Sequence, residues 1–298
     1  MSVLSCLLDE PAIWGHNGVA VNPQNTKDRT MTLTLRLFAF AVCCSLVLPG
    51  CGYFTTETDV DSGSKGDEKP AANKDDKKKS TPVMSEGKPG QVLRHAVFFG
   101  FQEGSTEEQI TEVVDAFRAL PSKIEEIIDF GWGVNNSPED HDDGYTHCFL
   151  LTFKDNAGRE TYIPHPDHKA FGATLGPIRD KVFVMDYWGT PPENPVATPL
   201  RHAVFFKFKD DARPEDIKAV EDAFAELPSK IDSIKEFEWG LNNSPEGKDE
   251  GFTHCFMVTF ESDEGRAAYL PHPEHEAFVK VLLPVLDKVR VLDFQAEK

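Results

Sequence analysis

Histidine and tyrosine are the side chains whose types and spacing give this sequence a capacity for chemistry. Two sets of five occur in the same order: His95, His147, Tyr162, His165 and His168, then His202, His254, Tyr269, His272 and His275. A histidine with an ordinary pKa of about 6.5 exchanges protons at neutral pH. A tyrosine does not, because ionising a phenol of pKa about 10 at pH 7 costs about 4 kcal/mol. The sets therefore favour acid–base chemistry in which histidine accepts the proton and tyrosine donates a hydrogen bond.

The two sets belong to two copies of one sequence unit. Residues 93–99 recur as residues 200–206, and the offset of 107 residues from His95 to His202 holds without a gap through both copies. About half of the aligned positions are identical, which indicates an internal repeat. Two long units are typical of a duplicated domain rather than of a solenoid.

Each unit shows the order strand, helix, strand, strand, helix, strand. In the first unit the predicted strands are residues 95–101, 127–134, 146–153 and 181–188. The first helix is expected to begin after Thr106, whose side chain caps it, and to end before Pro121. Pro164 and Pro166 are expected to interrupt the second helix. This order is the ferredoxin-like α+β pattern.

The first strand of each unit is apolar on both faces. Alternation places Val97 and Phe99 on one face, and Ala96 and Phe98 on the other. A sheet with helices on one side and water on the other would carry polar residues on its open face. We therefore expect the two units to pack sheet to sheet, as a pseudo-dimer within one chain.

Four motifs that occur in both units resemble the stress-responsive dimeric A/B barrel (Dabb) family. In the first unit they are the histidine of the first strand, residues 144–147, residues 162–168 and residues 184–187. The resemblance implies two ferredoxin-like domains of the dimeric α/β-barrel type. One plant member of the family closes a polyketide chain by a cofactor-free aldol reaction. Its pocket has a tyrosine and a histidine at the positions of Tyr162 and His168.

The resemblance therefore implies catalytic roles for Tyr162, His168, Tyr269 and His275. It implies ligand-binding roles for the other histidines of the two sets, namely His95, His147, His165, His202, His254 and His272. We predict no cofactor and no metal. Three functions stay open: binding of a small apolar or aromatic ligand, cofactor-independent acid–base catalysis of cyclase or lyase type, and a structural stress protein without a ligand.

The second unit matches the family pattern more closely than the first. It has Lys207 and Lys209 after its first strand, where the first unit has Gly100 and Gln102. If either unit is catalytic, we expect the second to be the better candidate.

Two alternatives concern single motifs. His165 and His168, with His147 nearby, are residue types that hold zinc, although the family pocket needs no metal. Cys148 and Cys255 lie beside the histidines of the third strand and should point toward the other unit. An oxidising compartment would allow a disulfide between them, and buried free thiols are the alternative that we favour.

The N-terminal part of the chain predicts export. Arg36 precedes an apolar run over residues 37–48, which is too short for a membrane span and typical of a signal peptide. Residues 48–51 resemble a lipobox, which predicts lipidation of Cys51 and a cell-envelope protein anchored at the periplasmic face of the outer membrane. A net charge of −19 argues against a nucleic-acid partner, because phosphate binding needs a basic face.

The predicted organisation has six segments. They are a doubtful extension (1–30) before Met31, a lipoprotein signal peptide (31–50), a disordered tether (51–91), a first domain (92–189), a proline-rich linker (190–199) and a second domain (200–298).

Overall fold

The computed structural model describes residues 86–298. The predicted signal peptide, Cys51 and most of the predicted tether lie outside the described residues. Domain 1 consists of β1 (Val92–Phe101), α1 (Glu107–Arg118), β2 (Ile127–Val134), β3 (His147–Phe153), α2 (Asn156–Tyr162), α3 (Pro166–Leu175) and β4 (Arg179–Gly189). Domain 2 consists of β5 (Leu200–Phe208), α4 (Pro214–Glu226), β6 (Glu236–Leu241), β7 (His254–Phe260), α5 (Asp263–Tyr269), α6 (Pro273–Leu282) and β8 (Leu286–Gln295). All helices in this part of the chain are too short or too polar to cross a bilayer.

Each domain contains one four-stranded antiparallel sheet. The strand order is β2-β3-β1-β4 in domain 1 and β6-β7-β5-β8 in domain 2. In both sheets the first strand of the domain pairs with the third and the fourth. This confirms the predicted ferredoxin-like α+β fold.

The helix boundaries follow from local side-chain chemistry. Thr106 and Gln109 form a capping box at the start of α1, in which each side chain accepts the other residue's backbone N–H, at 3.3 and 2.9 Å. The predicted interruption at Pro164 separates α2 from α3. His165 caps α3, because its Nδ1 accepts the backbone N–H of Asp167 at 3.2 Å.

The two sheets pack face to face, as the sequence predicted. One face of each sheet is covered by that domain's helices, and Val97 and Phe99 lie in this core. The opposite faces meet in a shared core that includes Ala96 and Phe98. Phe98 and its equivalent Phe205 touch across the junction, with ring centroids 5.3 Å apart. Two half-barrels of one chain therefore form the pseudo-dimer.

Two loops connect the domains across the junction. The loop after β2 runs onto β8, where the Asn136 N–H donates to the Asp293 carbonyl at 2.8 Å. The equivalent loop after β6 runs onto β4, where the Asn243 N–H donates to the Asp186 carbonyl at 2.8 Å. Each loop therefore covers part of the other domain.

Arg290 on β8 departs from the symmetry of the junction. Its equivalent in domain 1 is Phe183, and the Arg290 guanidinium carbon lies 4.3 Å from the centroid of that ring. Arg290 is 1% exposed, and its charge is balanced by Asp143 at 2.7 Å and Glu250 at 2.8 Å. Cation–π contact and charge-assisted hydrogen bonds make this burial tolerable.

Cys148 and Cys255 face the core between the sheets, and both are free and buried. Burial raises the pKa of each thiol well above its ordinary value, because a thiolate loses its hydration there.

Candidate functional site

Each domain contains a cavity, open to solvent on one side, between the helix-covered face of its sheet and its last helix. Cavity 1, in domain 1, has a volume of about 190 Å³. Its walls are mainly apolar, and its polar lining includes His95, Tyr162, His168 and Glu246. Cavity 2, in domain 2, has a volume of about 210 Å³, and its polar lining includes His202, Tyr269, His275 and Glu139. Apolar walls with a few convergent polar groups are typical of small-molecule sites.

A buried hydrogen-bonded chain holds His95 in place. His95 on β1 pairs in register with Asp186 on β4, and His95 Nδ1 lies 2.6 Å from Asp186 Oδ1. Arg159 Nη1 donates to the other carboxylate oxygen, Asp186 Oδ2, at 2.7 Å. Domain 2 repeats the arrangement, with 2.7 Å from His202 to Asp293 and 2.8 Å from Arg266 to Asp293.

This environment favours the protonated form of His95. Burial lowers the pKa of His95, but the charge and hydrogen bond of Asp186 outweigh that effect, and the net pKa is raised. His202 responds in the same way through Asp293. Since Nδ1 is bonded to Asp186, the Nε2–H of the His95 imidazolium is the group available at the cavity wall.

The environment of His168 favours the neutral form of its ring, in contrast to that of His95. Its Nδ1 lies 3.0 Å from the Ile163 carbonyl oxygen, so Nδ1 carries the proton and Nε2 keeps its lone pair. Burial lowers the pKa of His168, which keeps the ring neutral. In domain 2, His275 Nδ1 lies 2.9 Å from the Leu270 carbonyl oxygen, and its pKa is lowered for the same reason. Each cavity thus pairs a histidine that tends to be cationic with one that tends to be neutral.

The tyrosine of each cavity lies against this neutral histidine. The ring centroids of Tyr162 and His168 are 4.2 Å apart, and those of Tyr269 and His275 are 4.4 Å apart. Both tyrosines are fully buried, and neither hydroxyl has a hydrogen-bond partner among residues 86–298. Burial raises the pKa of both phenols, so they remain hydrogen-bond donors.

One carboxylate in each cavity comes from the other domain and was not predicted. The loop after β6 carries Glu246 into cavity 1, where Glu246 Oε1 lies 3.8 Å from His95 Nε2. The loop after β2 carries Glu139 into cavity 2, where Glu139 Oε2 lies 3.7 Å from His202 Nδ1. The Asn-Asn-Ser-Pro-Glu segment, which recurs at residues 135–139 and 242–246, was the sequence signal for these residues.

The structure does not bring His147 and His254 to the cavities. They share a sheet face with His95 and His202, but antiparallel pairing puts His147 opposite Phe99 at the far end of β1. Phe99 lies four positions after His95 along the strand, a distance of about 13 Å. His254 instead lies 3.1 Å from Glu221 on α4.

His165 and His272 are placed as helix caps. The Nδ1 of each accepts a backbone N–H of the following helix, at 3.2 Å in both domains. His165, His168 and His147 therefore do not form a metal-binding cluster. Among residues 86–298, the group close enough to hold a metal is Glu139, His202 and Asp293, and Arg266 already supplies a positive charge to its aspartate.

Lys207 and Lys209, the basis for expecting domain 2 to be the catalytic one, do not line cavity 2. Lys207 Nζ lies 2.7 Å from Asp287, and Lys209 Nζ donates to the Pro284 carbonyl at 2.7 Å. They bind elements of their own domain at its surface. The reason for preferring domain 2 as the catalytic one therefore has no support in the geometry.

Comparison with known proteins identifies the same unit twice. The model of the Stress responsive A/B Barrel Domain matches residues 93–189 and residues 200–296. The stress-response A/B barrel domain-containing protein HS1 of Arabidopsis thaliana is 40% identical over 97 residues, which cover 33% of this chain and 89% of that protein. Olivetolic acid cyclase of Cannabis sativa is 30% identical over 99 residues, which cover 33% of this chain and 98% of the cyclase.

A solved structure also resembles both domains together. The anthrone oxidase-like protein superimposes with a TM-score of 0.50 at 11% identity, over 70% of this chain and 92% of that one. At this level of identity the likeness shows the fold alone. The family match covers most of the chain, in two tandem copies. The chain belongs to the stress responsive A/B barrel domain family.

Proposed function

We propose that each domain binds a small, mainly apolar or aromatic molecule that carries an oxygen atom. The observation that supports this most directly is the unpaired hydroxyl of Tyr162, and of Tyr269 in domain 2. Buried hydroxyls in folded proteins almost always have a hydrogen-bond partner. A ligand oxygen between the tyrosine and the Nε2–H of the first-strand histidine would satisfy both donors at once, with its apolar part against the phenylalanine walls.

The experiment is a titration of the protein with para-propylphenol, followed by NMR. The amide signals of Gly172 and Val279 report on the two cavities, because these residues line equivalent positions. We expect both signals to move, and Tyr162→Phe to weaken binding at Gly172 while Val279 responds as before. The proposal is contradicted if para-propylphenol moves neither amide signal. It is also contradicted if Tyr162→Phe does not weaken binding at Gly172.

Cofactor-free acid–base catalysis is the second candidate. It is favoured by the pairing of an unprotonated His168 Nε2 with two hydrogen-bond donors, His95 and Tyr162, in one cavity. His168 would accept a proton from a carbon next to a carbonyl group, and the two donors would stabilise the enolate oxygen. The protonated His168 would then return the proton. Similarity to olivetolic acid cyclase over almost its whole length supports this proposal.

Deuterium exchange tests the catalytic step without knowledge of the substrate. Acetophenone in deuterium oxide should exchange its methyl protons faster with the protein than with buffer. His168→Gln together with His275→Gln should abolish the acceleration, and the control pair His147→Gln with His254→Gln, outside both cavities, should retain it. Equal losses in the two pairs would indicate a structural effect instead.

We also propose that the protein is a lipid-anchored envelope protein, held at the periplasmic face of the outer membrane through Cys51. The proposal is supported by the sequence from Arg36 to Cys51, a single charge and a short apolar run that ends in a lipobox-like segment. A lipid anchor would place both cavities in the cell envelope.

A further inference from the structure

The two cavities differ in charge at equivalent positions. Three cations line cavity 1, namely Lys169, Arg179 and Lys248. The equivalent positions of the other domain are Glu276, Leu286 and His141, of which the last two line cavity 2. The volumes of the cavities are similar, and their histidines and tyrosine are the same. Charge is therefore one property in which the duplicated sites have diverged.

Accepting the proposed binding function, we infer that cavity 1 takes a small apolar molecule that carries a carboxylate, and that cavity 2 takes an uncharged one. Three cations and one carboxylate line cavity 1, whereas cavity 2 has the carboxylate of Glu139 and no lysine or arginine among its lining residues. An anion is thus attracted more strongly to the first than to the second.

The cations of cavity 1 are available to a ligand. Among residues 86–298, neither Lys169 nor Arg179 forms an ion pair with a protein carboxylate. The neighbouring acids are bound elsewhere: Asp167 lies 3.8 Å from Lys123, and Asp180 lies 3.9 Å from the lysine that follows it. Arginine binds a carboxylate through two parallel hydrogen bonds, which adds directionality to the attraction.

The carboxylates that enter the two cavities also differ, because only the one in cavity 1 is neutralised by a lysine. Lys248 Nζ donates to Glu246 Oε2, so the negative charge of Glu246 is neutralised beside cavity 1. Glu139 has no such lysine, because the exposed His141 stands at the equivalent position, and Glu139 Oε2 is buried without a hydrogen bond in the described part of the chain. An anionic ligand in cavity 2 would meet this carboxylate with the His202 imidazole, 3.7 Å away, beside it in place of a lysine.

The negative charge of the rest of the chain makes the cations of cavity 1 stand apart from the surface around them. The net charge is −19, so an anion is repelled from most of the surface. Lys169 and Arg179 are exposed, whereas Tyr162 lies fully buried in the same cavity. This arrangement places the carboxylate of a ligand at the solvent side and its apolar part inside.

The test compares two probes of nearly equal shape, para-propylbenzoate and para-propylbenzamide, in titrations of the full chain. The amide signals of Gly172 and Val279 again report on cavities 1 and 2. We expect the benzoate to bind cavity 1 about tenfold more tightly than cavity 2, and the benzamide to show no such preference. Arg179→Leu, which introduces the residue of domain 2, should weaken benzoate binding at cavity 1 roughly fivefold and leave benzamide binding unchanged. The reciprocal Leu286→Arg should strengthen benzoate binding at cavity 2.

The outcomes separate this inference from the proposed function. If the benzamide binds but the benzoate shows no preference for cavity 1, or if Arg179→Leu does not weaken it, the charge assignment is wrong and the binding function stands. If neither probe moves either signal at concentrations up to about 10 mM, which corresponds to negligible affinity, both proposals are wrong.

Discussion

His95 Nε2 of domain 1 lies 3.8 Å from Glu246 Oε1 of domain 2. The protonation of a residue in one domain is thus coupled to a carboxylate of the other. Asp186 and Glu246 both raise the pKa of His95, and Asp186 has the larger effect because it is hydrogen-bonded at 2.6 Å. We predict that Glu246→Gln lowers the pKa of His95 and that Asp186→Asn lowers it further, as measured by NMR titration of the imidazole. His202 should be unaffected by Glu246→Gln and serves as the internal control.

Stability should pass through a maximum near pH 6.5 in the range in which histidines titrate. The pKa of His95 and His202 is raised in the fold, so their contribution is complete below about 6.5 and is lost as the pH rises through the folded pKa. The pKa of His168 and His275 is lowered, so their contribution is present above about 6.5 and is lost as the pH falls through the folded pKa. Urea unfolding between about pH 5 and 8 measures the free energy of unfolding on the acid and alkaline sides of the maximum.

One pair of variants identifies the histidines that contribute to the acid side of that stability profile. His168→Gln together with His275→Gln should reduce the loss of stability on the acid side and leave the loss on the alkaline side unchanged. The acid-side loss that remains belongs to His147 and His254, whose pKa burial also lowers. A profile that rises steadily through this range would show that the cationic and neutral assignments are wrong.

Removal of the Tyr162 hydroxyl should not destabilise the protein. Because this hydroxyl has no partner, Tyr162→Phe should change the free energy of unfolding by less than about 0.5 kcal/mol, or should stabilise the fold. Tyr187→Phe is the matched control, since the Tyr187 hydroxyl donates to Glu238 at 2.9 Å. We expect the control to lose about 1–3 kcal/mol. If the two losses are equal, Tyr162 has a structural partner and its role as a ligand donor is wrong.

A single domain should not remain a soluble monomer. Residues 91–192 alone would expose the sheet face that carries Phe98, Leu150 and Met185, an apolar surface that domain 2 covers in the full chain. We expect this fragment to dimerise or aggregate, as measured by size-exclusion chromatography with light scattering. Residues 91–298 should be monomeric under the same conditions. A stable monomeric fragment would argue that the shared core contributes little to folding.

Cys51→Ala should release the protein from membranes. Each buried methylene contributes about 0.8 kcal/mol, and stable anchoring requires two or more acyl chains, so loss of the acylated cysteine leaves no anchor. Fractionation of cells that express the wild type and the variant measures the effect. Cys148→Ala, a substitution in the buried core, is the control and should stay with the membranes. A membrane-bound Cys51→Ala protein would contradict lipidation.

The sequence was sufficient to predict the fold because the relevant signals are local. Alternation along β1 predicted the faces of the sheet, Thr106 predicted the start of α1, and Pro164 predicted the interruption between α2 and α3. The apolar character of both faces at Ala96 and Phe98 predicted the sheet-to-sheet contact. Each of these inferences needs only neighbours in the chain and general rules of packing.

The site was predicted in part, because half of its geometry depends on contacts between distant segments. Tyr162 and His168 are close in sequence, and they are close in space. Alternation could assign His147 to the correct face of the sheet, but not to a position along it, since that position is set by the register of β3 against β1. Glu246 could not be assigned to cavity 1, because its position depends on how domain 2 docks on domain 1.

Arg290 and Phe183 occupy equivalent positions and touch each other across the junction. A dimer of two identical chains has a two-fold symmetry axis, and a residue on that axis meets its own copy. An arginine there would face a second arginine in a buried core. The arginine–phenylalanine pair exists only once the two halves are encoded separately. The pair therefore arose after the two copies of the unit had begun to differ in sequence, and a symmetric ancestor could not have contained it.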